Sequence, residues 1–569
     1  MTRSALIKSL RRAYKIARAS IKSGIPPEEL LDVFNQRTSR RRLLYGGLAL
    51  ASALGAATWE RGRDSVAFAT TSKVLVVGAG VAGLTAAYRL NQAGVPVDII
   101  EATNRVGGRM RSLQNAAGTS ITVELAGEFI DTAHTNLRAL ARELGLKTVD
   151  LYTADQELVP RIGYFEGRKV SQTEIINASV PLAGKISQDL AAMGDGYVTY
   201  RFHNQAAQRL DNLSIAEYLD SAQISPILRQ MLRVAYTSLF GREPEEQTCL
   251  NLLFFMGNVY GESDERYQIQ GGNDQVPARL AQSMSAFIET GTALESIRTL
   301  SDGRYRVGLK SGSRTFERTY ERILLALPFT ILRQISINVN LPPVKRLAIA
   351  SLGYGTNAKL ITAYRERIWR TRYRSSAAVT TDLGFQSTWE STPYHTGSNG
   401  LVTNYTGGQH GLSLGRGTPE TQAQALMPQL EQVFPGISAV RSSGQTIRAY
   451  WPGERYTRGS YSCYLVGQGT QLAGAEQERV GNLFFAGEHC SSVAQGYMEG
   501  GCATGEVAAL QILQDLGLRA SAAQQSARIL SNQQARRRVI QRQRLIENLT
   551  EPELINKSTR QMFQVVQTI

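Results

Sequence analysis

Residues 74–101 spell out a complete nucleotide-binding unit, and that unit limits what the rest of the chain can fold into. Val74-Leu75-Val76-Val77 is a short β-branched run, and Gly78-Ala79-Gly80-Val81-Ala82-Gly83 follows without a gap. Residues 84–90 have helical composition, Gly94 ends them, and residues 95–100 read as a second strand. In a G-x-G-x-x-G placed this way, Gly78 permits the tight turn and Gly80 lets backbone approach a pyrophosphate. Gly83 lets the helix lie close against the strand. The helix N-terminus offers free N–H groups and a partial positive charge to the phosphates. Glu101 ends the second strand, where a carboxylate can accept bonds from ribose hydroxyls; its charge disfavours a 2′-phosphate, and so NADP.

With 569 residues, the chain is long enough for two interleaved domains, and its 42% hydrophobic content excludes wholesale disorder. A net charge of +15 would by itself suggest nucleic acid or an anionic surface as partner. Its distribution argues otherwise. Residues 1–69 hold 13 basic and 5 acidic side chains, and residues 519–569 hold 9 and 3. Residues 70–518 therefore hold 41 and 40, so the globular part is nearly neutral and no nucleic-acid partner is expected. Four scattered cysteines (Cys249, Cys463, Cys490, Cys502) make neither a disulfide framework nor a C-x-x-C pair. No metal site is expected, and nothing in the chain sets the oligomeric state.

The basic N-terminal extension, residues 1–69, reads as an address. Ser39-Arg40-Arg41-Arg42-Leu43-Leu44 resembles a twin-arginine export motif. An Ala- and Gly-rich apolar run follows over residues 43–57, shorter than the ~18–20 residues a spanning helix needs. Ala67-Phe68-Ala69 offers small residues to a signal peptidase. Export of the folded protein, to a periplasm or its equivalent, is the expectation. A basic patch beside a buried helix is the plainer reading, and an uncleaved run would leave a membrane anchor. The basic tail, residues 519–569, carries Arg536-Arg537-Arg538, Arg542 and Arg544 among glutamines, with Val539, Ile540, Leu545 and Ile546 nearby. It reads as a basic amphipathic helix: a solvated terminal helix, a cap, a partner-binding helix or a peripheral membrane contact.

Three further segments carry a resemblance. Arg105-Val106-Gly107-Gly108-Arg109 resembles the second glycine motif of the FAD enzymes in the monoamine oxidase and L-amino-acid oxidase superfamily. Leu483-Phe484-Phe485-Ala486-Gly487-Glu488 resembles their third cofactor motif, and Gly271-Gly272-Asn273-Asp274-Gln275 the segment that re-enters the cofactor domain. The resemblance implies an α/β protein with a discontinuous Rossmann-like FAD-binding domain and an inserted α+β substrate domain. The cofactor domain would take residues 70–135, 266–330 and 446–518, and the substrate domain residues 136–265 and 331–445. FAD would be held by Gly78, Gly80, Gly83, Glu101, Arg109, Gly487 and Glu488.

The same resemblance supplies candidate chemistry. Residues 486–500 read A-G-E-H-C-S-S-V-A-Q-G-Y-M-E-G and match, without a gap, a family stretch ending in G-Y-M-E-G. That puts Tyr497 on one wall of an aromatic cage before the flavin. Trp451 leads to Gly459-Ser460-Tyr461, which puts Tyr461 on the other. Both tyrosines also read simply as core aromatics. Ser460 stands where covalent-flavin members have cysteine, which implies non-covalent FAD. Lys359, in the apolar run Ala358-Lys359-Leu360-Ile361, matches the lysine that holds a water at flavin N5; the alternative is a strand lysine facing solvent.

The implied reaction is hydride transfer from an amine's α-carbon to flavin N5. The imine hydrolyses to aldehyde and ammonia, and O2 is reduced to H2O2. Phe129 stands where L-amino-acid oxidases of the superfamily place a carboxylate-binding arginine, and Gly496-Tyr497 stands where they tend to have Gly-Trp. Both favour an amine without a carboxylate, with Phe129, Trp451, Tyr461 and Tyr497 binding it. An amino-acid substrate stays open through Arg109, Arg111 or Arg138. Trp389, Tyr394 and Tyr405 are candidate cavity liners, and Glu262 or Asp264 candidate partners for a second amine. Two rival classes remain. One is a membrane- or nucleic-acid-binding protein keeping FAD only as structure. The other comprises carotenoid desaturases and protoporphyrinogen oxidases, which share the cofactor motifs but are not expected to share Lys359 with the two tyrosines.

Overall fold

The computed structural model describes residues 5–31 and 74–518, apart from 156, 160, 195–197, 258–262, 285 and 392. The twin-arginine motif, the apolar run behind it, the cleavage candidate, Glu262 and the basic tail lie outside the described residues. The chain divides into two compact units, residues 1–14 with 61–509 and residues 15–60 with 510–569. Of the second, the described part is the end of helix Ala5–Ser23 with the residues up to 31, and residues 510–518. Among the described residues no helix is long and apolar enough to cross a membrane.

In the first unit, Val74–Val77 is the central strand of a five-stranded parallel sheet. Its order is Leu483–Phe485, Arg322–Leu325, Val74–Val77, Val97–Ile100, Phe287–Glu289. A continuous apolar run suits a strand covered on both faces, and residues 74–77 are buried throughout. Leu75 and Val77 share a core with Ile323, Leu325 and Phe485, and with Ile297 and Val307 of a second, four-stranded sheet. Helix Val81–Gln92 follows the glycine loop directly.

The third large sheet is mixed and seven-stranded: Ile447–Tyr450, Ala358–Tyr364, Gly400–Thr406, Ser387–Glu390, Val379–Thr381, Ile162–Phe165, Arg168–Lys169. Its register puts Lys359 opposite Tyr405, Tyr405 opposite Ser387, and Trp389 opposite Thr403. Side chains alternate along a strand, so Lys359, Tyr405 and Trp389 share one face. Ala358, Leu360 and Tyr364 point to the other, into a core with Trp369 and Phe434.

Two helices of the region inserted between the cofactor motifs are Thr135–Glu143 and Pro226–Phe240. The second is capped by Ser225, with proline at its start and Gly241 at positive φ beyond its end. Helix Gln275–Gln282 begins two residues before Pro277. Sheet membership crosses two of the boundaries drawn from the sequence. Ile447–Tyr450 pairs with Ala358–Tyr364, and Ser336–Asn338 joins the four-stranded sheet.

Candidate active site

A cavity partly open to solvent lies where the parallel sheet meets the seven-stranded one. Its cofactor side is built as the sequence motifs suggest. Gly78 has φ +102°, where a side chain is strained, and a Cβ on Gly83 would lie 2.1 Å from the Gly78 carbonyl oxygen. Gly80 is different. A Cβ there meets nothing within 4 Å and would project into open space beside an N-terminus that no side chain caps. Gly107 donates to the Ala79 carbonyl at 2.8 Å, bringing the two glycine loops side by side. Glu101 Oε2 accepts from Ala79 N at 2.9 Å, and Oε1 from Thr103 N and Oγ1. A carboxylate held this firmly against the first loop suits a ribose.

Across the cavity, Gly487 and Glu488 follow strand Leu483–Phe485. Glu488 is paired with Arg109 at 2.9 Å and accepts from Ser462 N, Ser462 Oγ and Gly496 N. Burial would raise its pKa, but Arg109 and the Ser462 bond outweigh that and hold it below the usual carboxylate range. Arg109 also donates to the Ser460 carbonyl at 2.9 Å. The open cradle at Gly80, the uncapped helix start and the carboxylate at Glu101 together fit a dinucleotide such as FAD.

On the substrate side, Lys359, Tyr405, Trp451, Ser460, Tyr461 and Tyr497 line the same cavity. Tyr461 donates to the Leu239 carbonyl at 2.7 Å and accepts from Tyr405 at 2.7 Å, so its ring is locked. Burial and the neighbouring Tyr405 push its phenol pKa well up, keeping it neutral. Tyr497 packs edge-on against His134 at 5.1 Å, and Trp451 donates to the Leu125 carbonyl at 2.8 Å.

Lys359 is buried, not facing solvent. Its three N–H bonds go to the Glu124 carbonyl at 2.8 Å, the Ala126 carbonyl at 2.9 Å and Glu128 Oε2 at 2.7 Å. An ammonium has three donors, and all three are engaged by the 124–128 segment.

Several other candidates fall elsewhere. Phe129 does not line the cavity; it packs on Trp389 at 5.7 Å. Trp389 and Tyr394 are not liners either, whereas Tyr405 is. Arg111 is half-exposed near Glu454, and Arg138 lies over the Tyr267 ring and donates to the Thr132 carbonyl. Asp264 is taken up by Thr132 N and Oγ1. Among the described residues no cluster of three or more His, Cys, Asp or Glu side chains could hold a metal. Sequence reasoning missed Glu128, the partner of Lys359, and Asn357, which lines the cavity and accepts from Ser460 Oγ at 2.8 Å. It also missed the work of Glu499, which accepts from Asn136 N and Leu137 N and caps helix Thr135–Glu143 from outside.

Comparison with known proteins bears on this site. The family pattern described as flavin containing amine oxidoreductase matches residues 81–513. The flavin-dependent L-tryptophan oxidase of Lentzea aerocolonigenes is 26% identical over 450 residues, covering 74% of this chain and 93% of that one. The flavin-containing amine oxidase B of Homo sapiens is 24% identical over 477 residues, covering 78% and 86%. Among solved structures, cyclohexylamine oxidase from Brevibacterium oxydans superposes with a TM-score of 0.68 at 22% identity, over 79% of this chain and 100% of that one.

Proposed function

The chain belongs to the flavin-containing amine oxidoreductase family, and on that premise we propose that it oxidises an amine lacking a carboxylate. The products are an imine, which hydrolyses to aldehyde and ammonia, and H2O2 from O2. One observation carries the preference for an amine: two cations at the cavity wall, the buried Lys359 and the partly exposed Arg109, are already matched. Arg109 is paired with Glu488 and Lys359 with Glu128, which leaves neither for a substrate carboxylate.

FAD, when bound, supplies the two-electron oxidation by taking hydride from the carbon beside nitrogen. Gly80, the start of helix Val81–Gln92, Glu101 and Glu488 would hold it. None of the four cysteines lines the cavity, which supports FAD held without a thioether. Tyr461 and Tyr497 position the amine, offer π faces to its polar head and exclude water. The locked Tyr405–Tyr461 pair keeps one wall from adjusting, so the site selects by shape. The resemblance of these two walls to a cage also draws on the amine oxidase relatives.

An L-amino-acid substrate is the second reading, favoured by the L-tryptophan oxidase relative. It would need a further cation of the cavity wall, Arg105 or the exposed Arg455, to take the carboxylate. Screening the FAD-loaded protein for peroxide release with amines and with L-amino acids tests both. Release with amines alone is expected; release with amino acids alone replaces the amine reading, and a yellow but inert protein overturns both.

A further inference from the structure

Glu128 is as deeply buried as the lysine it pairs with; both side chains are 2% exposed. Its carboxylate is fully engaged: Oε2 accepts from Lys359, and Oε1 from Trp389 Nε1 at 3.0 Å and Gln268 Nε2 at 3.3 Å. The Trp389 ring also lies 5.6 Å from the Lys359 ammonium. Glu128 does not itself line the cavity, but Lys359 does, alongside the glycine loops and Tyr461. A buried carboxylate is costly unless a charge answers it, and a buried ammonium likewise. Here each answers the other directly behind the cavity wall.

We propose that Glu128 is a positioning residue that fixes the Lys359 ammonium and cancels its charge at the wall facing the flavin. The inference rests on FAD lying in this cavity, but not on which amine is oxidised. The arrangement is specific about direction. All three Lys359 donors are taken up by the 124–128 segment, which itself lines the cavity at Leu125, Ala126 and Gly127. The charge that Lys359 brings to the cavity wall is therefore answered by Glu128, which suits a neutral amine. Neutralising Glu128 while keeping its shape, as in Glu128→Gln, leaves an amide oxygen for Lys359 but unmasks one positive charge.

The test uses the FAD-loaded full chain and reads the flavin rather than turnover. Sulfite affinity, measured by bleaching of the flavin absorbance, and the flavin midpoint potential, measured by dye equilibration, both respond to charge near the ring. A unit charge within about 10 Å, at an effective dielectric of about 20, is worth roughly a tenfold change in affinity. Glu128→Gln should therefore bind sulfite about tenfold more tightly and show a raised potential. Lys359→Met, which strands the Glu128 charge, should bind sulfite about tenfold more weakly. The double variant should return close to wild type, and Glu128→Asp, which keeps the charge, should stay there too. Glu128→Gln that retains FAD with sulfite affinity and potential unchanged overturns the proposal. If that variant fails to fold, Lys359→Met with wild-type sulfite affinity overturns it instead. Charge-dependent sulfite binding in a protein that oxidises no amine would sink the substrate reading and leave this one standing.

Discussion

Gly80 and Gly83 sit three residues apart, one just before helix Val81–Gln92 and one in its first turn, yet gaining a methyl group should have opposite consequences at the two. At Gly80 the backbone has φ −76° and ψ 174°, which alanine adopts freely, and a Cβ meets no atom within 4 Å. Gly80→Ala should leave the apoprotein unharmed or about 0.4–1 kcal/mol more stable, because the unfolded chain loses freedom. The same methyl projects into the space assigned to the pyrophosphate. Overpacking of that kind costs about 1–3 kcal/mol, or a FAD Kd roughly 5- to 150-fold weaker. At Gly83 a Cβ would sit 2.1 Å from the Gly78 carbonyl oxygen and 3.0 Å from Val76 Cγ1. Backbone cannot yield that far, so Gly83→Ala must lift the helix from the strand and destabilise the apoprotein itself. The assay is FAD titration by fluorescence quenching, with melts taken with and without FAD. FAD at 1,000 times its wild-type Kd stabilises by about 4.1 kcal/mol, and each tenfold loss of affinity removes about 1.4 of that. Wild-type FAD affinity in Gly80→Ala would refute the placement of the pyrophosphate. Unchanged apoprotein stability in Gly83→Ala would refute the packing argument.

Tyr461→Ala should lower kcat/KM for the best amine by roughly 10- to 100-fold while FAD stays bound; loss of flavin colour would show that the ring supports the cofactor instead. Glu499→Ala removes acceptors from Asn136 N and Leu137 N and should cost about 1–3 kcal/mol in denaturant unfolding; no loss would mean water replaces the cap. His489 is pushed down to about 4, by burial first and by Arg109 and Lys345 after it, against the pull of Glu488. Because the unfolded chain then binds the extra proton, this group's stability contribution is full above about pH 6.5 and is lost as pH falls to about 4. His489→Gln should thus be less acid-sensitive, gaining about 3 kcal/mol on wild type by pH 4, and parallel pH–stability curves would contradict that. Export by the twin-arginine route, which we propose from residues 39–44, predicts that Arg40→Lys with Arg41→Lys keeps the protein in the cytoplasm; an unchanged secreted fraction would end the idea.

The cofactor half was legible because its chemistry is local. Gly78, Gly80 and Gly83 act within six residues of one another, and Glu101 needs only the helix and strand between to be placed. The substrate half depends on register, which no short stretch encodes. Tyr405 becomes a liner because it pairs with Lys359 across two strands, whereas Trp389, two positions along the same face, is held back by Glu128. Phe129 holds a position that the resemblance matches to the substrate, but its ring packs on Trp389. A signal for Glu128 did exist. An acid in the run Leu125-Ala126-Gly127-Glu128-Phe129-Ile130 and a lysine in Ala358-Lys359-Leu360-Ile361 are each costly to bury alone. Two such misfits of opposite sign are a candidate pair, and Lys359 in its apolar run asks for such a counter-ion.

Burial of a lysine is nonetheless a poor guide by itself. Lys345 is 1% exposed, donates to the Glu476 carbonyl at 2.9 Å and sits 3.7 Å above the Phe485 ring. Burial pushes its pKa down to about 8, so desolvation is paid there without any carboxylate in direct contact. Lys345 lies among apolar residues just as Lys359 does, yet it does not line the cavity. What separates them is the company their charges keep: Lys345 rests on a ring and a carbonyl, while Lys359 meets a carboxylate that is itself pinned by Trp389 and Gln268. A lysine wanted only for packing can rest on an aromatic face with its pKa lowered by burial. One that must stay in place and be silent electrically, a short distance from a redox ring, needs a counter-ion that cannot move.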